Sequence, residues 1–221
     1  MTALAAYEAG LGGAPVWVRS GDGRRALPVH RWAGEVDARD DGLLTAVLSG
    51  TGARPRVLDI GCGAGRLTVA LLGRGAQALG VDSSPTAVRL ARSRGARVHR
   101  ADVLGPLPDA WRHGWDRVLL ADGNLGIGGD PARLLNRLVP LLAPGGRIVA
   151  DVRAGGGIAR GPAWIESVDV AGDPIGGAVP WAWVGADAAA ELGAACGLAL
   201  SDLRPVPGAR TRRWVATWGR P

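Results

Sequence analysis

Arg56-Val57-Leu58-Asp59-Ile60-Gly61-Cys62-Gly63-Ala64-Gly65, RVLDIGCGAG, is the stretch whose reading decides the fold. Val57, Leu58 and Ile60 form a short apolar run of strand formers, which stops at Gly61, Gly63 and Gly65. A helical pattern follows, carried by Leu67, Val69, Ala70, Leu71 and Leu72. Strand, glycine turn and helix together make the nucleotide-binding corner of a parallel α/β sheet. A residue without Cβ lets a ligand lie against the backbone and takes positive φ without strain. The dinucleotide fingerprint needs glycine at its first, third and sixth positions. Here the sixth position from Gly61 is Arg66, whose side chain suits the close packing of a pyrophosphate site poorly. The next strand, Ala78 to Asp82, ends in a carboxylate that can accept hydrogen bonds from both hydroxyls of a ribose. No Gly-Lys-Ser/Thr follows the turn, which excludes a P-loop. What remains is a nucleoside site without a demand for phosphate.

VLDIGCGAG, followed by GVDSSPTAVRLAR, resembles the class I S-adenosylmethionine-dependent methyltransferases. The resemblance continues in order through Ala101-Asp102, through Trp115 to Asn124, and through Leu142 to Arg147, so it covers roughly residues 55–152. It implies a Rossmann-like α/β fold: a seven-stranded, mostly parallel sheet with helices on both faces and the last strand antiparallel. It also implies S-adenosylmethionine as cofactor. By that resemblance Asp59, Gly61, Cys62, Gly63 and Gly65 hold the methionine part, with the amide hydrogens of the turn approaching the ligand. Asp82 binds the ribose, and Ser83 beside it is a further cofactor-binding residue. Asp102 accepts the adenine amino group and the backbone of Val103 meets the ring. Asp122, Gly123 and Asn124 border the sulfonium and the acceptor.

The chain has 221 residues, enough for one α/β domain with additions and too few for two full ones. Residues 1–54 are expected to form an N-terminal lid and first helix. Residues 55–221 form the cofactor-binding domain, with a β-hairpin inserted at about 160–184. The net charge of +6 is carried by scattered arginines in a chain with no lysine and no phenylalanine, a bias that looks like a GC-rich coding sequence. A solvated basic surface explains it better than a nucleic-acid groove. Two cysteines, Cys62 and Cys196, belong to no metal-like cluster. No membrane span or signal peptide is evident, so a cytoplasmic protein is expected, without nucleic-acid, membrane or metal partners and as a monomer or homodimer.

In the lid, Ala14 to Arg19 and Leu27 to Trp32 read as two extended pieces around a Gly21-Asp22-Gly23 turn. Asp40 or Asp41 is placed to cap the helix whose apolar face is Leu43, Leu44, Val47 and Leu48. Trp17, Arg31 and Trp32 are candidates to touch the substrate, together with Leu125 after the fourth strand of the sheet. The tryptophans fit a lid and simple packing equally. Trp111 is a candidate to cover the adenine, and Trp181 with Trp183 read as a pocket wall or a hydrophobic cover. His30 and Asp122 are the candidate catalytic bases. The fourth strand ends in Asp122-Gly123-Asn124-Leu125, not in the Asn/Asp-Pro-Pro-Tyr/Phe motif of nucleobase and glutamine amino methyltransferases. No adjacent Asp-Asn pair follows the fifth strand, as metal-dependent catechol methyltransferases would need. The resemblance therefore implies metal-independent methyl transfer to a small-molecule acceptor by in-line displacement. An RNA or protein methyltransferase and a non-catalytic cofactor-binding scaffold are the alternatives.

Overall fold

The computed structural model of the protein describes residues 2–21, 23–206 and 213–221. Its centre is a seven-stranded sheet built from β3 (Arg56–Ile60), β4 (Gln77–Asp82), β5 (Val98–Arg100), β6 (Trp115–Leu120), β7 (Leu142–Arg153), β10 (Ala199–Pro205) and β11 (Arg213–Gly219). The order across the sheet is β10-β11-β7-β6-β3-β4-β5. The pairs from β7 to β5 are all parallel, while β11 runs antiparallel to both β7 and β10. β3 and β6 are apolar over consecutive residues because both of their faces are covered. On one face, Leu58, Ile60, Val118 and Leu120 join Leu134, Leu135 and Leu138 of α6 (Pro131–Leu138). On the other, Val57 and Leu119 meet Leu43, Leu44 and Val47 of α3 (Ala38–Leu48) and Leu67 and Leu71 of α4 (Arg66–Gly73).

Helix starts follow local chemistry. Ser84 caps α5 (Pro85–Ser93) by accepting the Ala87 N–H, and Asp130 caps α6 by accepting the Arg133 N–H. Both are followed by proline in the first turn, where no amide donor is needed. α3 differs from the expectation. Asp40 lies inside the helix and reaches back to accept the Asp37 N–H at 3.1 Å, the reciprocal half of a capping box.

The N-terminal segment departs further from the sequence reading. α1 (Ala3–Leu11) comes first, then the hairpin β1 (Trp17–Ser20) and β2 (Gly23–Ala26). Val29–Trp32, expected to be extended, is a single helical turn, α2. The inserted hairpin, β8 (Ile158–Val168) with β9 (Pro174–Val184), starts slightly earlier than expected. The two hairpins are not separate. β1 pairs antiparallel with β8, placing Trp17 opposite Glu166 and Arg19 opposite Trp164, which gives a second, four-stranded sheet of order β2-β1-β8-β9. On its outer face the Arg24 guanidinium lies 4.4 Å from the Trp17 ring centre and Arg19 lies 5.1 Å from that of Trp164. Glu166 accepts from both arginines. α1 packs under β8 and β9 and against α5. No described helix is long and apolar enough to cross a membrane.

Candidate functional site

The glycine turn leaves β3 at the carboxyl end of the parallel strands, where open α/β sheets place ligands. Gly61, Gly63 and Gly65 all have positive φ, +68°, +56° and +81°. A Cβ on Gly61 would lie 2.6 Å from the Asn124 amide nitrogen, and one on Gly65 would lie 2.9 Å from the Ala91 Cβ of α5. The turn is tied down by its own amides. Gly61 N–H and Cys62 N–H both donate to the Val81 carbonyl, Gly65 N–H donates to Cys62, and Gly63 N–H donates to the Asp82 carboxylate at 2.8 Å. The amides of Gly61, Cys62 and Gly63 join the turn to β4, and that of Gly65 closes the turn on itself. Cys62 turns its sulfur toward Gly80, where a Cβ would meet it at 2.5 Å, so the thiol packs against the sheet. Burial pushes that thiol far above its ordinary range.

Asp59 is 1% exposed and accepts the Thr68 hydroxyl at 2.7 Å. Burial pushes its carboxyl up to about 6. Asp82 accepts the N–H groups of Gly63 and Ser84. Burial raises it too, against the pull of those amides. Ser83 beside it is exposed. Asp102 is exposed just past the end of β5, and its side chain accepts the Leu104 N–H at 2.9 Å. Val103 is buried, and its carbonyl accepts from Arg137.

Asp122 lies just past β6 at a φ of +53° and is the centre of a buried ion network that the sequence reading missed. Its carboxylate meets three guanidinium groups: Arg66 on one oxygen, and Arg31 at 3.3 Å and Arg213 at 3.5 Å on the other. Arg66 also pairs with Asp40, and Arg31 reaches Asp40 at 2.6 Å and Asp37 at 3.2 Å. Arg213 pairs with Asp151, whose two oxygens accept the N–H groups of Asp122 and Gly123 at 2.7 Å each. Burial works to raise Asp40, but Arg66 and Arg31 hold it below the usual carboxylate range. Burial raises Asp122, with Arg66 the strongest opposing influence and Asp151 adding to the rise. The same contacts hold Arg31 and Arg213 more firmly charged. With guanidinium groups on both oxygens, the charged carboxylate is the state this geometry favours.

Gly123 takes a φ of +87°, and the Asn124 amide donates to the carbonyls of Ile60 and Gly61, stapling the loop after β6 to the glycine turn. Leu125, expected at the acceptor, is 1% exposed and packs into the main core. It sits in a 3-10 turn, Asn124–Gly126, that turns its side chain inward. His30 is exposed on α2, and its neighbour Arg31 is the residue of that turn that enters the network. Trp32 is half-buried, and Trp17 belongs to the outer face of the small sheet, under Arg24. Trp111 stacks edge-on to His99 and to Trp115 at the amino end of β6, so it lies away from the glycine turn. Trp181 forms an isolated bridge with Ile127, and β9 presses on the loop so closely that a Cβ on Gly126 would lie 2.0 Å from the Ala182 carbonyl oxygen. A hollow of about 400 Å3 lined by Arg54, Gly75, Gln77 and Arg97 opens at the amino ends of β3 and β4, away from this chemistry.

Two further residues reach the site from α1. The Glu8 carboxylate accepts the Ser84 hydroxyl at 2.6 Å and the Thr86 N–H at 3.2 Å. Tyr7 lies over the turn, its hydroxyl 3.1 Å from where a Gly63 Cβ would be. The adjacent pair Tyr7-Glu8 carries no recognisable spacing signal, and only the docking of α1 brings it here.

A parallel sheet closed by one antiparallel strand inserted between β7 and β10, with a glycine turn after its first strand, is the Rossmann-like fold of class I methyltransferases. Residues 57–146 match the family model described as a methyltransferase domain. A trans-aconitate 2-methyltransferase from Mycobacterium sp. (strain KMS) is 36% identical over 107 residues, 47% of this chain. The match takes in 40% of that relative, so the chain matches about two fifths of the length of the curated relatives it resembles. Among solved structures, an SAM-dependent methyltransferase from Bacteroides fragilis in complex with S-adenosyl-L-homocysteine aligns with a TM-score of 0.70 at 18% identity, covering 98% of this chain and 93% of that one. The 1,6-didemethyltoxoflavin-N1-methyltransferase of Burkholderia thailandensis aligns with a TM-score of 0.59 at 24% identity, covering 85% and 79%.

Proposed function

We propose that the protein transfers the methyl group of S-adenosylmethionine to a small-molecule acceptor without a metal. The observation that carries this reading is the adjacency of the Gly61–Gly65 turn and the Asp82 carboxylate at the carboxyl ends of β3 and β4, within the segment that matches a methyltransferase domain. In this reading Asp82 takes the ribose hydroxyls, and Asp102, exposed past the end of the next strand, takes the adenine amine. Asp59 lies beneath the methionine amino group, and Asp122 to Asn124 border the sulfonium. The sulfonium methyl is already a strong electrophile, so the chain's task is to hold the acceptor in line with the S–CH3 bond. The nucleophile forms its bond to the methyl carbon while sulfur takes the S–C bonding pair, leaving S-adenosylhomocysteine. A proton leaves the acceptor afterwards or during transfer. A dedicated base matters for a hydroxyl acceptor and much less for a thiol or an activated carbon acid. The small-molecule class is supported by relatives whose names specify small acceptors, trans-aconitate and 1,6-didemethyltoxoflavin.

The test is transfer of an isotopically labelled methyl group from S-adenosylmethionine to a panel of small molecules, read by mass spectrometry with EDTA present. Labelled product that disappears in Asp82→Ala supports the reading. Label appearing only in RNA or protein would move the acceptor to a macromolecule, and tight cofactor binding without any transfer would make the chain a scaffold.

A further inference from the structure

Several of the groups around the glycine turn that could donate a hydrogen bond to a ligand are engaged within the protein. The amides of Gly61, Cys62, Gly63 and Gly65 donate to Val81, Asp82 and Cys62, and Ala64 is 1% exposed. The Thr68 hydroxyl donates to Asp59, the Ser84 hydroxyl to Glu8, and the Arg66 guanidinium faces Asp40 and Asp122. The carboxylates Asp59, Asp82 and Asp122 that surround the turn suit the cationic and hydroxyl parts of S-adenosylmethionine. They do nothing for its methionine carboxylate, which needs a donor when it leaves water. A further donor stands beside them. The Tyr7 hydroxyl stands over Gly63 and has no hydrogen-bond partner among the described residues, although the residue is half-buried. Burial, and after it the negative charge of Asp82, pushes this phenol far above its ordinary range, so it keeps its proton. α1 fixes its position through Glu8, which grips the start of α5 one residue along.

We infer that the Tyr7 O–H donates a hydrogen bond to the methionine carboxylate of the bound cofactor, so that α1 binds the amino-acid end while β4 binds the nucleoside. This rests on the S-adenosylmethionine reading above. It makes Tyr7 a binding residue whose effect falls on one end of the cofactor only.

The experiment is calorimetric titration of wild type and Tyr7→Phe with three ligands: S-adenosylhomocysteine, decarboxylated S-adenosylmethionine and 5′-methylthioadenosine. The phenylalanine variant removes only the hydroxyl. Its affinity for S-adenosylhomocysteine is expected to fall roughly ten- to a hundredfold, as for a lost hydrogen bond to a charged group. Its affinity for the two ligands without a carboxylate stays within about twofold of wild type, which also shows that the variant folds. Equal affinity of both proteins for S-adenosylhomocysteine overturns the inference, as does an equal loss for all three ligands. If wild type binds none of the three, the cofactor reading itself fails.

Discussion

Asp59 shows how one buried carboxyl sets a pH dependence. Its value of about 6 in the folded chain lies above the roughly 3.9 of an unfolded aspartate. The folded state therefore binds the proton more tightly. The stabilisation from that proton is full below about pH 4 and is lost as pH rises through 6. Asp59→Asn keeps a neutral acceptor for the Thr68 hydroxyl and removes the titration. Urea denaturation at pH 4 and at pH 7 should show wild type losing about 2–3 kcal/mol relative to this variant. A pH-independent difference would mean that Asp59 is not held protonated. The residues legible in the sequence were those whose role is local: Gly61, Gly63 and Gly65 need positive φ within one turn, and Ser84 and Asp130 cap the helix that follows them. Tyr7 and Arg31 were opaque as partners, because a phenol or a guanidinium has no spacing rule and finds its contact through tertiary packing alone.

Among the elements, β9 and the loop after β6 link the small sheet closely to the site. Gly126→Ala would drive a methyl group into the Ala182 carbonyl, with the Trp181 indole nitrogen 2.7 Å away. The cost should be about 1–3 kcal/mol or more, read as a lower melting temperature. Cofactor affinity should fall with it, because the neighbouring Asn124 staples the glycine turn. The β8–β9 hairpin was legible, since two strand-forming runs flank Gly172-Asp173-Pro174. Its pairing with β1 was not, because Arg19 and Glu166 are 147 residues apart and no local pattern encodes such a register. Val29 to Trp32 misled the reading for a physical reason. Its β-branched and aromatic residues favour strands, yet a helical turn is what lets Arg31 reach Asp37, Asp40 and Asp122 together.

At the scale of the whole molecule, the ion network joins α2, α3, α4, the ends of β6 and β7, and the start of β11. Arg66→Ala would leave Asp40 and Asp122 short of a cation in a buried site. The expected loss is about 3–5 kcal/mol in urea denaturation. Arg66→Ala/Asp40→Ala should recover part of it, and strictly additive losses would show that the two groups are not coupled. The second sheet has a consequence for the order in which the chain can assemble. Its first two strands leave the ribosome well before the third exists. At roughly 5–20 residues per second of synthesis, the interval is on the order of ten seconds. Throughout it, β1 presents an unpaired edge to other nascent chains. The parallel core can gather around β3 to β7 in that time, but β1 cannot pair with β8 until the insertion emerges. The small sheet therefore completes its pairing after β3 to β7 have been made and before β10 and β11 emerge to close the large one.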